Sequence, residues 1–167
     1  MAASELVARM VARGLTVACA ESLTGGLVSA ELTAVPGASA VVRGGVVSYA
    51  TEVKARVLGV DDFLLRSGGA VQAQVAREMA HGVRRVVGSD LGLATTGVAG
   101  PEPQDGQPVG RVFIAAGWSG ADGSPRDEVR MLDLPGDRAT IRAATVEEVV
   151  MLALTVLRDL PDPSPQD

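Results

Sequence analysis

Aromatic residues make up only 2% of this 167-residue chain: one Trp, one Tyr and two Phe. So few rings cannot build a platform for stacked bases, and a formal net charge of −5 repels a phosphodiester backbone. Both facts argue against nucleic acid as a partner. Cysteine occurs once, as Cys19, which rules out an intramolecular disulfide and a cysteine metal cluster. Histidine also occurs once, so multi-histidine zinc sites are excluded and a Ser-His-Asp triad would need His81 as its base. No stretch is long and apolar enough to cross a bilayer. The N-terminal segment carries Glu5, Arg9 and Arg13 inside its apolar pattern, unlike a signal peptide. No membrane partner is expected, and a reducing cytoplasm is the expected compartment.

Apolar residues are plentiful, at 47%, so the core must be built from Val, Leu and Ala. The length fits one domain, expected over residues 1–160, with a disordered Pro-rich tail over 161–167. A domain of this size buries about 70% of the surface its unfolded chain exposes and needs no staples.

Ser4 is expected to cap a first helix whose inward face is Leu6, Val7, Met10 and Val11, with Gly14 ending it. Leu15 to Ala20 reads as a buried strand feeding a glycine-rich turn, with a helix from about Gly26 to Ala34 stopped by Pro36-Gly37. Gly44 to Ala50 reads as a second strand, and Thr51 as the cap of a short helix ending near Gly59. Asp61-Asp62 reads as another helix start. Val71, Val75, Met79, Val83, Val86 and Val87 recur at helical spacing up to Gly88. Leu91 to Thr95, Val112 to Ala116 and Val129 to Leu134 supply three more strands. Asp137 then caps a long last helix through Ile141, Val149, Leu152, Val156 and Leu160.

Strands alternating with helices predict an α/β fold, a three-layer α/β/α sandwich around a mixed, mostly parallel five-stranded sheet. No helix separates the fourth and fifth strands, so that pair is expected to be antiparallel. Ligands of such sheets gather at the carboxyl ends of the strands. Three loops fall there: Ser22 to Gly26, Tyr49 to Lys54 and Thr96 to Pro101.

Ser22 stands where a strand turns into a helix, close to free N–H groups able to hold a developing oxyanion. The same position suits an ordinary helix cap. Gly25 and Gly26 would let a substrate approach the backbone. Lys54 is the only lysine, beside fourteen arginines. Arginine keeps its proton at any physiological pH, whereas a buried lysine can lose it, so a single lysine is the pattern expected of a base. A solvated lysine in an Arg-rich chain is the plain alternative. Tyr49, the only tyrosine, could relay a proton or simply cover the core. Thr96, Gly97 and Gly100 lie in a loop that could bind an anion or merely turn. Arg138 and Arg142 open the last helix, within reach of a phosphate or of solvent. Glu21 could orient a substrate amide or pair with an arginine, and Thr24 sits on the same turn. His81 reads as structural.

Taken together, Ala20-Glu21-Ser22-Leu23-Thr24-Gly25-Gly26, Ser48-Tyr49-Ala50-Thr51-Glu52-Val53-Lys54, Thr96-Gly97-Val98-Ala99-Gly100-Pro101 and Gly136-Asp137-Arg138 resemble the CinA C-terminal domain family over residues 4–160. Standalone members of that family are nicotinamide-nucleotide amidohydrolases. The resemblance implies conversion of nicotinamide mononucleotide to nicotinate mononucleotide and ammonia. It implies Ser22 as nucleophile, Lys54 as base, and Tyr49 and Thr96 in support. Substrate contacts would come from Glu21, Thr24, Gly25, Gly26, Thr96, Gly97, Gly100 and Arg138. No metal or organic cofactor is implied, and a homo-oligomer is. The extra N-terminal domain of long members is absent from this sequence. Thr51 stands where the family has Asn and Gln72 where it has Ser. Residues 102–107 replace its Gly-Gly stretch and lysine. A non-catalytic nucleotide-binding or regulatory module would use the same loops to cradle a phosphate.

Overall fold

A computed structural model describes residues 1–163, so the part of the expected disordered tail from 164 to 167 lies outside the described residues. Just before that point, Asp162 pairs with Arg13 Nε at 2.8 Å. Five strands form one sheet: β1 (Val17–Glu21), β2 (Val42–Val47), β3 (Leu91–Gly97), β4 (Arg111–Ser119) and β5 (Pro125–Asp133), in the order β2-β1-β3-β4-β5. β1 pairs in parallel with both β2 and β3, while β4 runs antiparallel to β3 and to β5. The expected antiparallel β4–β5 pair is present, and a second joins β3 to β4. The connection after β3 carries no helix to cross the sheet, and β4 folds back beside β3. β4 alone is reversed, so four of the five strands point the same way.

Helices α1 (Ala2–Arg13), α2 (Leu27–Thr33) and α6 (Arg138–Val156) cover one face, where Leu6, Met10, Leu32, Ile141 and Leu152 are buried against the sheet. Helices α3 (Thr51–Leu58), α4 (Asp62–Gly68) and α5 (Ala73–Val87) cover the other, around Leu58, Val75, Met79 and Val83. β1 and β3 are buried along nearly their whole length, as strands covered on both faces are. Among the described residues, no helix is long and apolar enough to cross a membrane.

The last helix stops at Val156, short of the expected Leu160, the helix expected to include Val71 begins at Ala73, and two expected caps are not found. Met1, not Ser4, occupies the cap position of α1, because the apolar face already includes Ala3. Thr51 is the first residue of α3, and Ala50 precedes it without a side-chain cap. Asp61 and Asp137 do cap, accepting from the N–H groups of Leu64 at 2.8 Å and Thr140 at 2.9 Å.

The α5 side of the sandwich is tight enough to require bare backbone. A Cβ on Gly92 of β3 would lie 2.0 Å from the Ala80 carbonyl oxygen, and one on Gly82 of α5 would lie 2.1 Å from that of Leu58. Neither backbone can move aside without opening the layer. Gly92→Ala should therefore destabilise the fold by about 1–3 kcal/mol, read as a lower urea midpoint at unchanged slope.

Candidate active site

The three parallel strands β2, β1 and β3 lie side by side, so their carboxyl ends open onto one edge of the sheet. There the chain leaves β1 into Ser22, β2 into Ser48-Tyr49 and β3 into Val98. A cavity of about 120 Å³ sits between these loops. Of the expected site residues, Ser22, Tyr49, Lys54, Thr96, Gly97, Gly100 and Arg138 line it, joined by Glu102 and Gln104 from the connection to β4.

At its floor the single lysine meets the serine. Lys54 is only 1% exposed despite its long side chain, so the amine is held and not solvated. Its Nζ donates to Ser22 Oγ at 3.0 Å and to the Ser48 carbonyl at 2.6 Å, with the Tyr49 carbonyl at a longer 3.5 Å. Burial lowers the Lys54 pKa from 10.5 to about 8, against the opposing pull of the Asp105 and Glu52 carboxylates. As an ammonium the amine gives its N–H groups to these three oxygens; once neutral it keeps two for the carbonyls and has a lone pair for the serine hydroxyl. Cys19 offers no competing nucleophile, since it is buried and burial, then the charge of Glu21, pushes its thiol up to about 12.

Other expected residues take supporting places. Glu21 is 1% exposed and turned away from the cavity. Its carboxylate accepts from the N–H groups of Gly26, Val28 and Ser29 and from the Ser29 hydroxyl, at 2.7–3.0 Å. It caps α2, and its accepting capacity is spent there rather than on a substrate amide or an arginine. Thr24 is likewise inward, its hydroxyl 2.8 Å from that of Thr95. Gly25 and Gly26 do not line the cavity; their φ values of 60° and 105° make the tight turn that a side chain would resist. The Gly26 N–H is taken by Glu21 and that of Gly25 by the Ser22 carbonyl. Neither N–H is therefore free for a group bound in the cavity. Among the described residues, the N–H groups of Leu23 and Ala99, both on the cavity wall, take no internal partner.

Thr96 donates its hydroxyl to the Ala70 carbonyl at 2.7 Å, joining two residues of the cavity wall. Arg138 donates to the Gly100 carbonyl and to the Tyr49 hydroxyl, both at 2.8 Å. It thereby ties the end of β2 to the loop after β3. Arg142, expected near a phosphate, instead donates to the Leu23 and Thr24 carbonyls at 2.9 and 3.0 Å and holds the serine turn from beneath. His81 lies outside the cavity, packed over Gly117 with Asp127 at 3.4 Å. Burial holds its imidazole below the ordinary value.

Among the described residues, no group of three His, Cys, Asp or Glu side chains could hold a metal ion. The Ser48 carbonyl and the Asp105 carboxylate were not singled out from sequence. The first is a backbone atom without a residue signature; the second lies in a loop whose path the sequence pattern does not specify.

A family model for the CinA C-terminal domain matches residues 1–159. The chain belongs to the CinA C-terminal domain family. It is 53% identical over 153 residues to a CinA-like protein of Frankia casuarinae, covering 92% of this chain and 34% of that relative. It thus spans about a third of the length of the curated relatives it matches. A CinA superfamily protein of Klebsiella pneumoniae superposes with a TM-score of 0.86 at 30% identity, over 94% of this chain and 96% of that one. The competence/damage inducible protein CihA of Agrobacterium tumefaciens gives 0.81 at 34% identity, with the same coverage. These family structures share the open mixed five-stranded sheet with helices on both sides.

The lowered pKa carries a stability consequence. Between pH 8 and 10.5 the unfolded chain binds a proton that the folded one releases, so the fold is penalised as pH falls through that window and fully so below pH 8. The penalty is about 3 kcal/mol. Lys54→Met should recover part of it below pH 8 and lose the advantage as pH approaches 10.5, as urea melts across that range will read.

Proposed function

We propose that this chain is an amidohydrolase that converts nicotinamide mononucleotide to nicotinate mononucleotide and ammonia. The observation that carries this reading is the buried Lys54 amine 3.0 Å from Ser22 Oγ at the floor of a cavity. A base of this pKa, within hydrogen-bond reach of a hydroxyl, is an activated nucleophile. Neutral Lys54 accepts the Ser22 proton as Oγ attacks the carboxamide carbon. The oxyanion is met by the Leu23 and Ala99 N–H groups. As the C–N bond breaks, the Lys54 ammonium returns its proton to the departing nitrogen, helped by the Tyr49 hydroxyl, and ammonia leaves. Water, deprotonated by Lys54, then attacks the Ser22 ester, and Lys54 returns that proton to Ser22 Oγ as the carboxylate leaves.

The cavity is smaller than the roughly 300–1,000 Å³ of sites that enclose a whole ligand, so it suits the carboxamide end while the ribose phosphate lies in the mouth. Arg138 keeps N–H groups beyond the two it commits to Gly100 and Tyr49, and these face a phosphate there. A cytoplasmic site of action and a homo-oligomeric assembly belong to the same reading.

Ser22→Ala and Lys54→Arg should each lower ammonia release from nicotinamide mononucleotide by at least about 10³-fold with the fold intact by circular dichroism. In the unaltered protein kcat/KM should rise about tenfold per pH unit and level off above pH 8, where Lys54 is neutral. Near-native turnover in either variant would overturn the dyad. Tight binding of the mononucleotide without turnover would instead assign a non-catalytic nucleotide-binding role.

A further inference from the structure

The connection from β3 to β4 is not slack. Gln104 and Gln107 exchange both backbone hydrogen bonds, at 3.1 and 2.8 Å, around the turn residues Asp105 and Gly106. Their φ values of 51° and 72° are those of a tight Asp-Gly hairpin turn. The tip of this hairpin is seated, not free: Asp105 Oδ2 accepts from the Ala70 N–H at 2.9 Å. Gly69 beside it must lack a side chain, since a Cβ there would lie 2.4 Å from Asp105 Cγ. The Ala70 carbonyl in turn receives the Thr96 hydroxyl. A continuous series of contacts thus runs from the hairpin tip through Ala70 to the cavity wall, and Glu102 and Gln104 on the same hairpin line that cavity.

We propose that Asp105 is a positioning residue of the Ser22–Lys54 site: its carboxylate fastens the 102–107 hairpin as one wall of the cavity and acts through space on the amine of Lys54. This deepens the amidohydrolase reading and rests on it for its catalytic meaning. Two carboxylates favour the Lys54 ammonium, Asp105 from the hairpin and Glu52 from the lysine's own helix, and Asp105 has the larger effect. Glu102 and Arg138, at the cavity, are the other charges on its walls. Burial alone would leave the amine neutral at still lower pH. Asp105 therefore opposes the lowering that burial imposes on Lys54, while its hydrogen bond sets where the wall stands.

Because Lys54 is the only lysine, ¹³C-lysine labelling gives one Cε signal whose pH titration reports this amine whether or not the protein turns over. Asp105→Asn keeps an oxygen for the Ala70 N–H and tolerates the left-handed φ, but removes the charge. At low ionic strength it should move the midpoint down by about 0.5 pH unit or more, with Ala70 amide exchange unchanged. Asp105→Gly suits the same φ and removes the anchor, so Ala70 exchange should accelerate about tenfold or more. An unmoved midpoint in Asp105→Asn overturns the action on Lys54, and unaltered Ala70 exchange in Asp105→Gly overturns the fastening. If the unaltered protein releases no ammonia from nicotinamide mononucleotide, the amidohydrolase reading fails, and these two measurements still decide the role of Asp105. If ammonia is released, the pH–rate midpoint of Asp105→Asn should fall by the same amount as the titration.

Discussion

An ammonium buried almost completely against a carbonyl, a hydroxyl and few countercharges is the constraint around which this domain is arranged. Water would hold such a charge far better than the site does. The fold accepts the cost because Lys54 reaches inward from α3 to the one point where the ends of β1 and β2 meet. The Ser48 carbonyl fixes the amine, and Ser22 presents its oxygen from the neighbouring strand end. Neither group could be held so closely on a mobile loop. The parallel pairing of β1 with β2, in register from Ala18 to Glu21, keeps the two strand ends level.

Support for the serine comes from an economy of backbone groups. Glu21 stands one residue before Ser22 and gathers the first N–H groups of α2, so the helix is capped by the residue that also ends β1. Arg142 satisfies the carbonyls of Leu23 and Thr24. The backbone of the turn on either side of Ser22 is thus held by two side chains. A hydroxyl on a fixed turn would meet a bound group without the orientational barrier a free one faces.

Much of this was legible in residue order. Leu15 to Ala20 and Leu91 to Thr95 read as buried strands, because each is a short, mainly apolar run bounded by turns, and the strands found there are Val17–Glu21 and Leu91–Gly97. Gly14, Gly59 and Gly88 ended their helices as glycines in left-handed conformation do. The uniqueness of Lys54 pointed to its burial, since arginine serves wherever charge alone is wanted. What stayed hidden was direction. Glu21 and Thr24 belong to the same sequence block as Ser22, but alternation along a strand and its following turn sends neighbouring side chains to opposite sides. The second antiparallel pairing was hidden as well, because the connection after β3 carries no periodic pattern. Its hairpin depends on an Asp-Gly pair and on a contact with Ala70, 35 residues earlier.

The last helix reaches across the whole site. Through Arg138 it joins the Tyr49 hydroxyl to the Gly100 carbonyl, and through Arg142 it steadies the turn bearing Ser22. Three loops drawn from the first hundred residues are therefore locked by side chains made only after residue 137. A chain emerging from the ribosome must therefore release the segment beyond Arg142 before the cavity walls can be tied together.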